Sequence, residues 1–159
     1  MKVTRISLIA AMAALTILGT GVAAGAASKA HKSKAPTTSY TVKLGEATVS
    51  GHKEKVLTDA QGRTLYILTG STAAKLECTG ACAKIWPPLL LAKGRPVVAK
   101  GLTGVSVAVT KDGRMVLFRG HPLFLYSRDT KAGEATGQSF KKAPGQVWEV
   151  ATTALKAVK

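Results

Sequence analysis

A chain of 159 residues has room for one domain with a modest hydrophobic core. Its 23 Lys+Arg stand against 8 Asp+Glu, a formal net charge of +15 that attracts polyanions: acidic wall polymers, anionic lipid head groups or nucleic acid. The basic residues are scattered, and no basic run interleaves with stacking aromatics, which argues against a single-strand nucleic-acid platform.

Lys2 and Arg5 form a positive n-region, Ile6 to Leu18 is an apolar run interrupted by Ser7 and Thr16, and Ala24-Gly25-Ala26 matches an A-x-A cleavage site. Residues 1–27 therefore read as a secretory signal peptide. The rival is a retained membrane helix from Ile6 to Val22 or beyond, barely long enough against the roughly 20 apolar residues a span needs. Lys29, Lys32 and Lys34 on its far side oppose an anchor with a cytoplasmic N-terminus. Cleavage removes Lys2 and Arg5 and no acidic residue, so the net charge of +15 becomes +13. No cysteine lies near the cleavage region to accept a lipid, and no transmembrane span is expected in the mature chain. Residues 28–39, rich in Lys, Ser and Ala with one Pro, have no apolar period and read as a disordered basic spacer.

From Tyr40 onward, short apolar runs are broken by turn residues. Tyr40 to Lys43 predicts a half-buried strand ended by Leu44-Gly45, and Ala47 to Val49 a second one closed by Ser50-Gly51-His52. Lys55 to Thr58 leads into the hairpin-type loop Asp59-Ala60-Gln61-Gly62, with Arg63 to Leu68 as the partner strand. Ala81 to Ile85 predicts about one helical turn, stopped by Pro87-Pro88. Val97-Val98 is a weak strand signal. Val105 to Val109 alternates with Ser106 and Ala108, and Lys111-Asp112-Gly113 is the best hairpin signal, leading into Arg114 to Phe118. Gly120-His121-Pro122 turns into Leu123 to Tyr126, a polar loop runs from Asp129 to Gln138, and Val147 to Val150 is the last strand. Short strands and frequent turns predict a single all-β domain over residues 40–159, a small antiparallel sheet or sandwich-like fold.

Gly62 to Thr69 laid over Gly120 to Ser127 matches glycine, leucine, aromatic, aliphatic and hydroxyl positions, and Ile85-Trp86 falls over Val147-Trp148. Two degenerate hairpin repeats, about 55–91 and about 105–152, each ending in a buried tryptophan, account for both matches. Neither is long enough to bury its own apolar face, so the copies are expected to share one core.

Leu65-Tyr66, Cys78-x3-Cys82, Trp86-Pro87-Pro88-Leu89, Gly120-x-Pro122-Leu123, Asp129-Thr130-x2-Gly133 and the Gly137/Trp148 ending resemble the secreted-repeat lipoprotein family, over about Val56 to Thr152. That resemblance implies tandem repeats in an exported bacterial protein, a Tyr-x4-Asp motif and no established activity. The chain departs from the motif in both copies: Tyr66 is followed by Ser71 in place of Asp, and Asp129 is preceded by Phe124 in place of Tyr. The lipid-anchor cysteine is also missing from the N-terminal region.

The cysteines read first as a disulfide, since export to an oxidising compartment favours one. Closing so small a loop stabilises by about 2 kcal/mol on the chain-entropy model. The alternative is a redox-active pair, or a soft-metal site recruiting His121 or Met115. Trp86 and Trp148 read as core, with sugar stacking by an exposed indole as the rival. Tyr66 and Tyr126 have polar tips that could edge a groove. Asp129 reads as capping its own turn rather than holding a cation, and Asp59 and Asp112 also sit where turns want Asp. No nucleophile elbow or phosphate loop is present, and neither a catalytic residue, a metal nor a cofactor is expected.

The sequence thus predicts an exported, non-catalytic cell-envelope protein associating with anionic wall or membrane polymers. Its candidate ligand positions are Tyr66, Trp86, Tyr126, Asp129 and His121. The alternative is an extracytoplasmic redox or cofactor-binding protein using the Cys78/Cys82 loop.

Overall fold

The computed structural model describes residues 41–158; the expected signal peptide (1–27), the basic spacer (28–39) and Tyr40 lie outside the described residues. β1 (Lys43–Val49) and β2 (His52–Thr58) form an antiparallel hairpin in continuous register from Val49 opposite His52 to Lys43 opposite Thr58. Its two-residue turn, Ser50-Gly51, has φ of 50° and 87°, the left-handed pair whose twist suits right-handed strands. Leu44-Gly45, expected to end a strand, instead lies within β1. A Cβ at Gly45 would stand 2.7 Å from Thr58 Cγ2, so the glycine is what lets the hairpin close there.

A second hairpin has the same form. β4 (Val105–Thr110) and β5 (Gly113–Phe118) are joined by Lys111-Asp112, and β5 pairs in turn with β6 (His121–Pro122). The turn before β6 is Arg119-Gly120, at φ of 51° and 87°, so His121-Pro122, expected as turn, is strand.

β3 (Tyr66–Leu68) does not take the preceding strand as its main partner, as the hairpin expectation required. Contact with β2 is limited to the bridge between Thr58 and Thr64 and to Leu65 N–H donating to Leu57 O (2.9 Å). β3 pairs instead with β8 (Gln146–Val150), Tyr66 opposite Val150 and Leu68 opposite Trp148. β8 is flanked by β7 (Lys141–Ala143), an exposed edge strand absent from the sequence reading. Asp59 holds the connecting turn: its Oδ1 accepts from Gln61 and Arg63 N–H (3.0 and 2.9 Å), and Oδ2 pairs with the Arg63 guanidinium (2.7 Å). That turn brings Thr64 back opposite Thr58, and from Tyr66 onward the strand pairs with β8. The one helix among the described residues, α1 (Ala81–Ile85), is the expected turn and stops before Pro87.

The two copies meet as equals. Tyr66 N–H donates to Phe124 O (2.8 Å), and Phe124 N–H returns the bond to Tyr66 O (2.9 Å). Around this exchange the other bonds recur in matched positions. Thr69 N–H donates to Val147 O (3.0 Å) as Ser127 N–H does to Ile85 O (2.9 Å). Ala151 N–H donates to Leu65 O as Leu89 N–H does to Leu123 O, both at 2.8 Å.

Strand alternation then sorts the core. Leu65, Ile67, Leu123 and Leu125 pack with Val116 and Phe118 in a mainly aliphatic cluster. Tyr66, Leu68, Phe124 and Tyr126 enter a second, aromatic cluster with Trp86 and Trp148. Among the described residues no helix is long and apolar enough to cross a membrane.

Candidate functional site

Of the five candidate positions, the fold gathers four into the aromatic cluster and sets His121 apart. Tyr66 is fully buried, and Trp86, Tyr126 and Asp129 are 2%, 6% and 4% exposed. Tyr66 is carried in by β3, while Pro87-Pro88 ends α1 immediately after Trp86. The Trp86 ring lies face to face with Trp148 (centroids 3.9 Å apart, planes 3° apart) and, on its other side, with Tyr126 (4.2 Å, 24°). Two edge-on contacts close the cluster in matched fashion, Tyr66 on Trp86 (5.3 Å, 80°) and Phe124 on Trp148 (5.1 Å, 84°). Such contacts contribute roughly 0.5–1.5 kcal/mol each beyond the area they bury.

The polar part of the cluster is the Tyr66–Asp129 pair. Tyr66 Oη donates to Asp129 Oδ2 and accepts from Gly137 N–H (3.3 Å). Asp129 Oδ1 accepts from Thr136 N–H (3.0 Å) and Thr136 Oγ1 (2.5 Å). Asp129 therefore binds across its loop and across the core rather than capping its own turn. The local cap is Glu134, whose Oε2 accepts from Thr130 and Lys131 N–H (2.6 and 2.9 Å). Among the described residues Asp112 pairs with the neighbouring Lys111 (3.0 Å), and Asp59 does cap its turn. Burial, then the hydrogen bond to Asp129, then the Asp129 charge push the Tyr66 phenol well above its ordinary value of 10.0.

The motif split along the chain is thus closed in space: copy one supplies the tyrosine and copy two the aspartate. At the other corner, Phe124 has no hydroxyl to offer, and Ser71 Oγ accepts locally from Glu77 N–H (3.3 Å).

Thr136 and Gly137 complete the site and were not legible as site residues. A Cβ on Gly137 would stand 2.5 Å from Trp86 Cη2 and 3.1 Å from Tyr126 Cδ1. Only glycine allows that loop to lie against the ring stack while its N–H reaches Tyr66.

Cys78 and Cys82 are joined in a disulfide with Cα atoms 5.2 Å apart, and both pack on the aromatic cluster. No free cysteine remains. His121 faces the C-terminal segment, its Nε2 2.9 Å from Lys156 O, beside Arg119 donating to Leu155 O (2.5 Å). Among the described residues no three His, Cys, Asp or Glu side chains converge as metal ligands. Surface depressions over the β1–β2 hairpin and along β7 are not lined by the four clustered candidates, which are buried. Compared with family models, with curated proteins and with solved structures, the chain finds no match in any of the three.

Proposed function

We propose that the protein is an exported, non-catalytic module of the cell envelope whose basic surface associates with anionic wall or membrane polymers. The observation that carries this reading is an asymmetry in how charge is used. Asp59, Asp129 and Glu134 spend their oxygens on the chain's own N–H and O–H groups. Lys53, Lys55, Lys84, Lys100 and Lys141 are exposed and have no ion-pair partner among the described residues. Two of the eight acids, Asp59 and Asp129, are buried, and 23 Lys+Arg outnumber the acids, which leaves a surface mainly of one sign that draws in polyanions by long-range attraction. Export is supported by the N-terminal sequence pattern, by the disulfide, which suits an oxidising compartment, and by the resemblance to secreted repeats. Burial of the aromatic cluster favours a packing role for those rings over sugar stacking.

The test is retention on an immobilised anionic wall polymer and on anionic vesicles, against neutral controls, across a salt series. Screening shortens to about 3 Å at 1 M salt, so the reading expects release well before that concentration. Retention indifferent to salt, or equal on neutral supports, contradicts it.

A second reading, an extracytoplasmic redox protein using Cys78 and Cys82, is favoured by the disulfide packing directly on the aromatic cluster. Thiol counting under mild reductant separates the two. Ready reduction without unfolding supports the redox reading, whereas resistance until the protein unfolds supports the structural disulfide.

A further inference from the structure

The aromatic cluster contains more than packing requires. Two indoles lie parallel in contact, a phenol meets one of them edge-on, and that phenol already donates its proton to a buried carboxylate. Indoles and phenols are the side chains most readily oxidised by one electron once thiols are absent, and here every thiol is locked in the disulfide. Loss of an electron makes a phenol strongly acidic, so a phenol with a base in hydrogen-bond contact gives up electron and proton together. Tyr66 has that base. Trp148 does not: its Nε1 is buried and has no hydrogen-bond partner among the described residues, so an oxidised Trp148 has nowhere to leave its proton. The cluster also comes close to solvent, because half-exposed Phe140 covers the Trp86 and Tyr126 rings at 6.0 and 6.4 Å.

We propose that Tyr66 and Asp129 form a proton-coupled redox site, fed through the stacked Trp86 and Trp148 rings, that takes up one-electron oxidising equivalents from diffusing radicals of the peroxyl or carbonate class. In the step, the radical gains one electron and becomes its anion. The electron leaves the indole stack and is replaced from Tyr66. The Tyr66 O–H bond breaks, its proton passes to Asp129 Oδ2 along the existing hydrogen bond, and a neutral tyrosyl radical remains beside a neutral carboxylic acid. Charge and atoms balance: one radical is consumed, one is formed, and the total charge is unchanged. The buried position then holds the tyrosyl radical away from solvent and from other protein molecules.

Carbonate radical generated by pulse radiolysis, with transient absorption and electron paramagnetic resonance, tests this on the folded protein. An indole radical is expected first, converting to a tyrosyl radical at a rate independent of protein concentration and slower in D2O. Asp129→Asn is expected to slow the conversion by about a hundredfold, the usual contribution of a positioned base, and to abolish the isotope effect. A double variant, Tyr40→Phe with Tyr126→Phe, leaves Tyr66 as the only tyrosine without touching the pair, and is expected to keep the tyrosyl signal. Loss of that signal in the double variant overturns the proposal, as does an indole radical that persists in the folded wild type. Tyr66→Phe, confirmed folded by near-ultraviolet circular dichroism, is expected to stop at the indole radical; a full tyrosyl yield there also overturns it.

Discussion

The two corners of the aromatic cluster are built on the same backbone and differ in chemistry. At one, Tyr66 lies edge-on to Trp86 and bonds Asp129; at the other, Phe124 lies edge-on to Trp148, and Ser71 is satisfied by its own loop. The peptide groups are matched down to the turn bonds, Asp129 N–H to Tyr126 O (3.1 Å) and Ser71 N–H to Leu68 O (3.0 Å). Backbone exchange between copies and ring packing therefore suffice for the shared architecture. The tyrosine–aspartate bond is an addition that one corner carries and the other does without. Its persistence in the interior is informative, because a buried phenol and a buried carboxylate each cost free energy unless they satisfy one another.

The largest effect should come from the element both corners share. Trp148→Ala removes the ring against which Trp86 and Phe124 pack, and should cost about 3–5 kcal/mol in denaturant unfolding, a large part of a small domain's stability. Loss of less than about 1 kcal/mol would mean the cluster is not the structural centre.

Gly137→Ala strikes one corner only. Its Cβ must displace Trp86 or the loop, so we expect a loss of about 1–3 kcal/mol. It should also weaken the Tyr66 contact, visible as a changed tyrosine signal in near-ultraviolet circular dichroism.

Phe124→Tyr makes the second corner resemble the first without its acid. The new hydroxyl should cost about 1–3 kcal/mol as a buried unpaired group. Adding Ser71→Asp should recover much of that cost, although Ser71→Asp alone is destabilising; failure to recover would show that the corners differ in backbone as well as side chain.

The disulfide also distinguishes the copies, since only copy one carries it. Reduction should cost about 2 kcal/mol on the chain-entropy model and lower hydrogen-exchange protection around α1 more than around Gln138–Phe140.

At neutral pH the least visible difference is titration. The folded protein holds the Tyr66 proton more tightly than the unfolded chain, so its contribution is fully present below about pH 10 and fades as pH rises past that unfolded value. Alkaline melting curves should therefore fall more steeply for the wild type than for Tyr66→Phe.

Much of this fold can be read locally. The helical turn Ala81–Ile85 is bounded by Gly80 and Pro87, the hairpin at Lys111-Asp112 announces itself, and two copies of one pattern imply a shared core. What escapes a local reading has physical causes. β7 is Lys141-Lys142-Ala143, exposed throughout, so it has no apolar period to detect. Gly45 looks like a strand end because its reason for being there, Thr58, stands on the neighbouring strand. The partner of β3 is β8, a strand near the C-terminus and remote in sequence, so no local pattern points to it. The site shows the same limit most clearly: compared copy by copy, Tyr66 faces Ser71 and Asp129 faces Phe124, and each half looks incomplete. The antiparallel exchange at Tyr66 and Phe124 crosses the copies and joins the halves.

That crossing is most directly tested by a double-mutant cycle of Tyr66→Phe and Asp129→Asn, followed by denaturant unfolding. A closed pair predicts single losses that do not add, with a coupling energy of at least about 1 kcal/mol. Losses that add to within about 0.3–0.5 kcal/mol would mean the two residues stabilise the protein independently, and would contradict the account.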